Sequence, residues 1–334
     1  MRKKFFTVLM FFMLVAAVLM PIQTTVASNV YAQVISTNDS KPLVVCTTSV
    51  LASIVEDLAD GDVEVKYLVS PSMCPGHYDV KPGDVETIRN ASLILAHGME
   101  WSGWLRELIN SANQTGDLHV PIYNITGPWN TPPMLKQKYQ TVASKLSEAL
   151  GLNVSSKLSK CLDAIDQVDA ELKSIVDKYG FNGTPVACML WQKGFVEYLG
   201  FKIVAVYGPP EKVSARQYES IIANATEEGA ILVIDNLQSG VELGKKIAYE
   251  IGAVEVAISN FPGVTPELNN VTQVMKWNAV KLAEALRSGK AMGEVAQLRR
   301  EVDSWRIATV SASVICVAEL LIIVALIVRL RKGR

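Results

Sequence analysis

Cysteine and histidine stand three residues apart in the run Ser70-Pro71-Ser72-Met73-Cys74-Pro75-Gly76-His77-Tyr78-Asp79. The chain has only 3 histidines, and this one shares a short loop with a thiol, a thioether and a carboxylate. A neutral imidazole is the commonest transition-metal ligand, and sulfur donors make a site softer. The C-x-x-H spacing suits two ligands of one metal, although alone it is a weak signature. Two prolines and a glycine after Ser70 fix the backbone of the loop. The run follows a predicted strand over Val63–Val69, where α/β proteins place ligand contacts. His77 is therefore the leading candidate ligand, with Cys74 beside it. The plainer reading of His77 is a structural imidazole closing the Pro75–Pro82 loop.

The elements that position this loop come from alternating patterns. Strands are predicted over Leu43–Cys46, Val63–Val69, Leu93–Ala96 and His119–Tyr123, with helices near Val50–Ala59, Val85–Arg89 and Trp101–Ser111 between them. A second set follows, with strands over Val186–Leu190, Lys202–Tyr207, Ile231–Asp235 and Val254–Ile258. Its helices cover Gln192–Leu199, Ser214–Glu227 and Gly240–Ile251, and a last one spans Val271–Arg287. Alternation of this kind gives an α/β fold: two lobes, each a four-stranded parallel sheet flanked by helices. Residues 42–130 form the N-terminal lobe and 184–288 the C-terminal lobe. Between them, 131–180 is a long helical linker with an apolar face through Leu135, Tyr139, Val142 and Leu146. Such a strut restricts hinge bending, so any closure is small.

The residues after each strand then map a cleft between the lobes. His97 follows the third strand and is either a second ligand, a support for one, or a satisfied histidine packed on Gly98. Trp129 follows the fourth. In the second lobe Cys188 and Met189 alternate in direction, so one faces the core and the other reaches the cleft. Asp235 and Asn260 close later strands. His119 sits at a strand's beginning and takes no role, and Trp101 and Trp104 share a helix face that reads as core. Cys74, His77 and Asp235 as nucleophile, base and orienting acid would make an enzyme. That reading lacks spacing logic, and no nucleophile elbow, phosphate loop or dinucleotide fingerprint supports it. A net charge of -1 without a basic patch excludes a nucleic-acid binder.

The chain ends predict export and anchoring. Residues 1–33 read as a signal peptide, with Arg2, Lys3 and Lys4 before an apolar run ending at Pro21. No cysteine precedes Cys46, which argues against a lipoprotein anchor. Residues 289–305 read as a stalk and 306–329 as a transmembrane helix, its apolar part Ile307–Val328 long enough for a hydrocarbon core of about 30 Å. The basic tail 330–334 then lies in the cytoplasm and the ectodomain outside, as in a single-pass cell-membrane protein. Glu319, inside that span, either meets a partner helix or is simply tolerated there. Eight of the 15 asparagines (Asn38, Asn90, Asn113, Asn124, Asn153, Asn182, Asn224 and Asn270) begin an N-x-S/T sequon, which fits a glycosylated ectodomain on an archaeal cell surface. The cysteines are too few for a disulfide scaffold, although a Cys74–Cys188 bridge competes with metal binding there.

The order of these motifs resembles a known family. Val44-Val45-Cys46-Thr47-Thr48-Ser49-Val50-Leu51, the strand Val65–Val69 with its proline loop and single histidine, and Lys81-Pro82-Gly83-Asp84-Val85 are similar to the zinc/manganese-type (TroA-like, cluster A-I) ABC-transporter solute-binding proteins. Gly103-Trp104-Leu105, Met275-Lys276-Trp277-Asn278 and Leu282–Leu286 add to the likeness, which covers about Pro42 to Arg287. The resemblance implies two lobes on a helical backbone, capture of a divalent metal between them, and delivery to an ABC permease with its ATPase. The family's ligand after strand two falls on His77. Its histidine after strand four is replaced by Gly127-Pro128-Trp129-Asn130, its lobe-two histidine or glutamate by Met189, and its late aspartate by Asn260. Neutral and softer donors hold zinc or manganese poorly and favour a soft cation such as copper(I), or zinc bound partly by thiolate. A non-metal solute or metal chelate against Trp129 and Trp191 is the first alternative. A surface protein with structural or interaction work and a degenerate site is the second.

Overall fold

The computed structural model describes residues 41–101 and 103–332. The predicted signal peptide and the Asn38 sequon lie outside the described residues. Strands β1 (Leu43–Cys46), β2 (Glu64–Tyr67), β3 (Leu93–Ala96) and β4 (Ile122–Asn124) form one sheet in the order β2-β1-β3-β4. All three pairings are parallel. The inner strands β1 (LVVC) and β3 (LILA) are buried along their whole length, as apolar runs covered on both faces must be. β2 (EVKY) is largely exposed because it forms an edge. Helices α1 (Ser49–Ala59), α2 (Pro82–Arg89) and α3 (Trp104–Ala112) connect these strands.

The second lobe repeats the plan. Strands β5 (Pro185–Met189), β6 (Lys202–Tyr207), β7 (Leu232–Asn236) and β8 (Val254–Ile258) lie in the order β6-β5-β7-β8, again parallel. Helices α6 (Lys193–Tyr198), α7 (Ala215–Glu227) and α8 (Glu242–Ile251) flank them. In each lobe the chain switches direction across the sheet beside its first strand, between β1 and β3 and between β5 and β7. That is where ligand sites of open α/β sheets form.

The linker is two helices, α4 (Pro132–Leu150) and α5 (Ser155–Tyr179). Gly151 separates them, with the positive φ of 68° that a left-handed C-cap requires. Leu135, Tyr139, Val142 and Leu146 of α4 and Ile165, Val168 and Leu172 of α5 are buried in one core with Leu51 and Ile54 of lobe one and Phe195 and Ile258 of lobe two. Because the strut shares a core with both lobes, bending between them would expose apolar surface, at about 25 cal/mol per Å².

The last helix, α9 (Val271–Lys332), runs unbroken for 62 residues. Val271, Met275, Ala279, Leu282 and Leu286 bury its first turns against the body. The membrane span expected here is not borne out. No helix among the described residues is long and apolar enough to cross a membrane. Residues 306–329 continue a helix whose stretch from Gly289 to Val314 interleaves Glu294, Arg299, Glu301, Asp303 and Arg306 with its apolar residues. The single-pass localisation, with an outside ectodomain held by a C-terminal helix, falls with that span.

Candidate functional site

The loop after β2 is rigid. Its 3₁₀ turn Pro75–His77 starts at Pro75, and the His77 amide donates to the Cys74 carbonyl at 3.0 Å. Trp104 of α3, expected only as core, donates from Nε1 to the Pro75 carbonyl at 2.9 Å and packs on Tyr78 with ring centroids 4.8 Å apart. Tyr78 in turn donates to Asp84 at 2.8 Å, and Asp84 also caps α2 by accepting from the Lys81 amide. A strut of aromatic and acidic partners thus holds His77 outward. Its imidazole reaches Glu211, in the turn after β6 of the other lobe, with Nε2 to Oε1 at 3.4 Å. Both side chains remain about half exposed, 62% and 49%. Nothing in the linear spacing pointed to Glu211; only the facing of the lobes brings it to His77.

Deeper in the gap, the strand ends of the two lobes meet directly. The Trp129 indole donates to the Asn260 carbonyl at 3.0 Å, and Ser49 donates to the Pro262 carbonyl at 2.7 Å. Gln238 donates to the Pro71 carbonyl at 3.0 Å and to Ser259 Oγ at 3.0 Å. The amide of Asn260 donates to the Trp191 carbonyl at 3.1 Å, and Asn130 reaches the same oxygen at 3.4 Å. Trp129 is also buried, 8% exposed, between Phe261 and His97, stacked on the imidazole at 4.3 Å.

His97 sits behind this contact rather than in it. It is buried, and its Nε2 is hydrogen-bonded to Thr48 Oγ1 at 2.7 Å. Burial, and then the Lys138 ammonium nearby, push its pKa down to about 3, so the ring is neutral. Lys138 is itself buried and donates to the Ile125 and Thr126 carbonyls. Glu100, which sequence reading passed over, is also buried in this region, and burial raises its carboxyl above the usual range.

The remaining candidates turn inward. Cys188 and Met189 do alternate across β5, but both directions are interior. Cys188 joins the core shared with the strut, while Met189 packs with Tyr207, Ile221 and Ile247 on the other sheet face. The Met189 sulfur accepts the Trp191 amide at 3.3 Å. Asp235 ends inside lobe two, where Tyr207 donates to its Oδ1 at 2.7 Å. Burial, with the neighbouring Glu255 carboxyl adding to it, pushes its pKa up to about 7 against the pull of Tyr207. Its carboxylate lies so close to Gly244 of α8 that a Cβ there would meet Oδ2 at 1.8 Å. Cys74 and Cys188 are both free thiols, so they form no bridge. Among the described residues no three of His, Cys, Asp and Glu gather as a metal-holding group.

Two lobes with matching strand orders, a helical strut sharing their core, and polar groups converging on the gap define the two-lobed solute-binding class of fold. The family described as zinc-uptake complex component A, periplasmic (ZnuA), matches residues 44–285. This chain belongs to that family. It is similar to the zinc-binding protein TroA of Treponema pallidum (strain Nichols), 46% identical over 61 residues, 18% of this chain and 20% of TroA. It is also 32% identical over 80 residues to a metal ABC transporter substrate-binding lipoprotein of Lactococcus lactis, 23% of this chain and 26% of that protein. The chain thus matches these curated relatives over only a minor part of their length. The solved structure of TroA shares the fold, with a TM-score of 0.62 at 18% identity over 74% of this chain and 99% of TroA. The Mn-bound periplasmic metal binding protein of Candidatus Liberibacter asiaticus does so with a TM-score of 0.62 at 17% identity, over 74% and 100%.

Proposed function

We propose that this chain is the solute-capturing component of an ABC importer, taking a metal ion between its lobes for a permease and its ATPase. The observation that carries the reading is the pair His77 and Glu211, an imidazole and a carboxylate presented from opposite lobes 3.4 Å apart. Such a pair offers a cation two donors while leaving a side open to solvent. Cys74 lies at the start of the same turn but does not gather with His77 and Glu211 into one three-donor group. Of the lobe-two ligands implied by family likeness, Met189 has its sulfur engaged by the Trp191 amide, whereas Asn260 donates from Nδ2 to the Trp191 carbonyl and keeps a buried Oδ1 without a hydrogen-bond partner. The capture site is centred on His77 and Glu211, the pair that faces across the lobes. An imidazole beside a carboxylate suits zinc or manganese better than the softer copper(I).

A second reading rests on a different observation. The bonds Trp129–Asn260, Ser49–Pro262 and Gln238–Pro71 fill the inner gap with protein. A surface protein that captures no solute would need no more than this.

Metal analysis of the purified full chain, with equilibrium dialysis against zinc and manganese, separates the two. One equivalent of metal, lost in His77→Ala and weakened in Glu211→Gln, is the expected result. Metal retained by His77→Ala would overturn the site. No binding by the wild-type chain would overturn capture and leave the second reading.

A further inference from the structure

Past Lys290, whose ammonium still reaches the Tyr179 carbonyl at 3.2 Å, α9 leaves the body of the molecule. Its apolar side chains there lie bare. Val295, Leu298, Val302 and Trp305 are 50%, 60%, 57% and 74% exposed. Steps of three, four and three put them on one stripe of the helix, the a and d positions of a heptad repeat. Val295, Leu298 and Val302 border a shallow groove on the helix surface. A contiguous apolar strip on a projecting helix marks a surface that another molecule covers.

The flanking charges say which molecule. In this register Glu294 and Glu301 fall at g, and Arg299 and Arg306 fall at e. In a parallel two-stranded coil each g side chain faces the partner's e side chain five positions on. Glu294 then meets Arg299 of a second copy, and Glu301 meets Arg306, on both sides of the seam. An antiparallel pairing would set glutamate against glutamate and arginine against arginine, which is repulsive. Valine at both a positions with leucine at the first d favours two strands. Among the described residues these charges have light ties: Arg306 leans on Asp303 at 3.6 Å, and Glu301 accepts from Gln297 at 3.2 Å. Exposed contacts of that kind are weak and exchange freely.

We propose that Glu294–Arg306 of α9 is a parallel coiled-coil seam that pairs this chain with a second copy of itself. Parallel pairing places both two-lobed bodies at the same end of the seam. The seam spans two heptads, short for a long-lived coil, so pairing is reversible and depends on concentration. The inference does not rest on metal capture.

Sedimentation equilibrium of the full chain across the micromolar range tests it. The mass should rise with concentration from the 36.5 kDa of one chain toward twice that value. The double variant Leu298→Glu, Val302→Glu should stay at the single-chain mass, with unchanged thermal unfolding of the body. The charge-reversed chains Glu294→Arg, Glu301→Arg and Arg299→Glu, Arg306→Glu should each stay single alone and pair when mixed. A wild-type chain that remains single at every concentration overturns the proposal. So does a double variant that still pairs, or charge-reversed chains that pair alone as well as together.

Discussion

The indole Nε1 of Trp129, in the first lobe, donates to the backbone carbonyl of Asn260, in the second, over 3.0 Å. The same ring stacks on buried His97. The resemblance implies a histidine ligand within the run Gly127-Pro128-Trp129-Asn130, which has none. In this chain Trp129 of that run binds the opposite lobe's backbone instead.

Trp129→Ala removes both the interlobe bond and the stack. Loss of a buried tryptophan typically costs about 3–5 kcal/mol. The expected result is an unfolding free energy lowered by that amount, seen as a lower urea midpoint at an unchanged m-value. A loss under about 1 kcal/mol, the net worth of one ordinary hydrogen bond, would show that the ring bears little of the interface.

His97 should make stability fall with acid. Its pKa is depressed to about 3 in the folded chain and returns to about 6.5 on unfolding. The stabilisation is therefore complete above about pH 6.5 and is lost progressively as pH drops toward 3, at up to about 1.4 kcal/mol per pH unit. Denaturant titrations of wild type and His97→Gln at several pH values compare the slopes. Equal slopes between pH 4 and 6 would refute the assignment.

Asp235 should act with the opposite sign. Its pKa is raised to about 7 in the fold and is about 3.9 when unfolded. The buried, protonated form therefore favours the native state fully at low pH, and that contribution disappears as pH rises from about 4 through 7. Asp235→Asn keeps an acceptor for Tyr207 and removes the titration. The variant should gain stability relative to wild type above pH 7, and a loss there would contradict a raised pKa.

Thiol chemistry should separate the cysteines by burial. Cys46 and Cys188 are buried, and burial raises both thiols far above their usual range. Cys74 is only partly covered. A thiol reagent applied to the native chain under non-reducing conditions should label Cys74 quickly, and Cys46 and Cys188 only on unfolding. Failure to label Cys74, with recovery after reduction, would reveal a disulfide instead.

Much of this protein was legible in the sequence by itself. Apolar runs such as LVVC and LILA, the heptad-like face of α4 and the glycine at its end are local signals, because backbone periodicity decides which side chains share a face. They were enough for two parallel four-stranded sheets, the strut and the loop bearing His77. What only the tertiary structure decided is where strand-end side chains go. Cys188 and Met189 had to alternate, yet both directions proved interior, since helices cover both faces of the sheet. Asp235 turned into its own lobe because Gly244 leaves room there. Glu211 and Gln238 joined the gap through lobe packing across more than a hundred residues of chain, beyond any local pattern. The end of α9 is the reverse case. Its hydropathy alone suggested a membrane span, whereas the continuous helix from Val271 carries its charges and bare apolar stripe in one register.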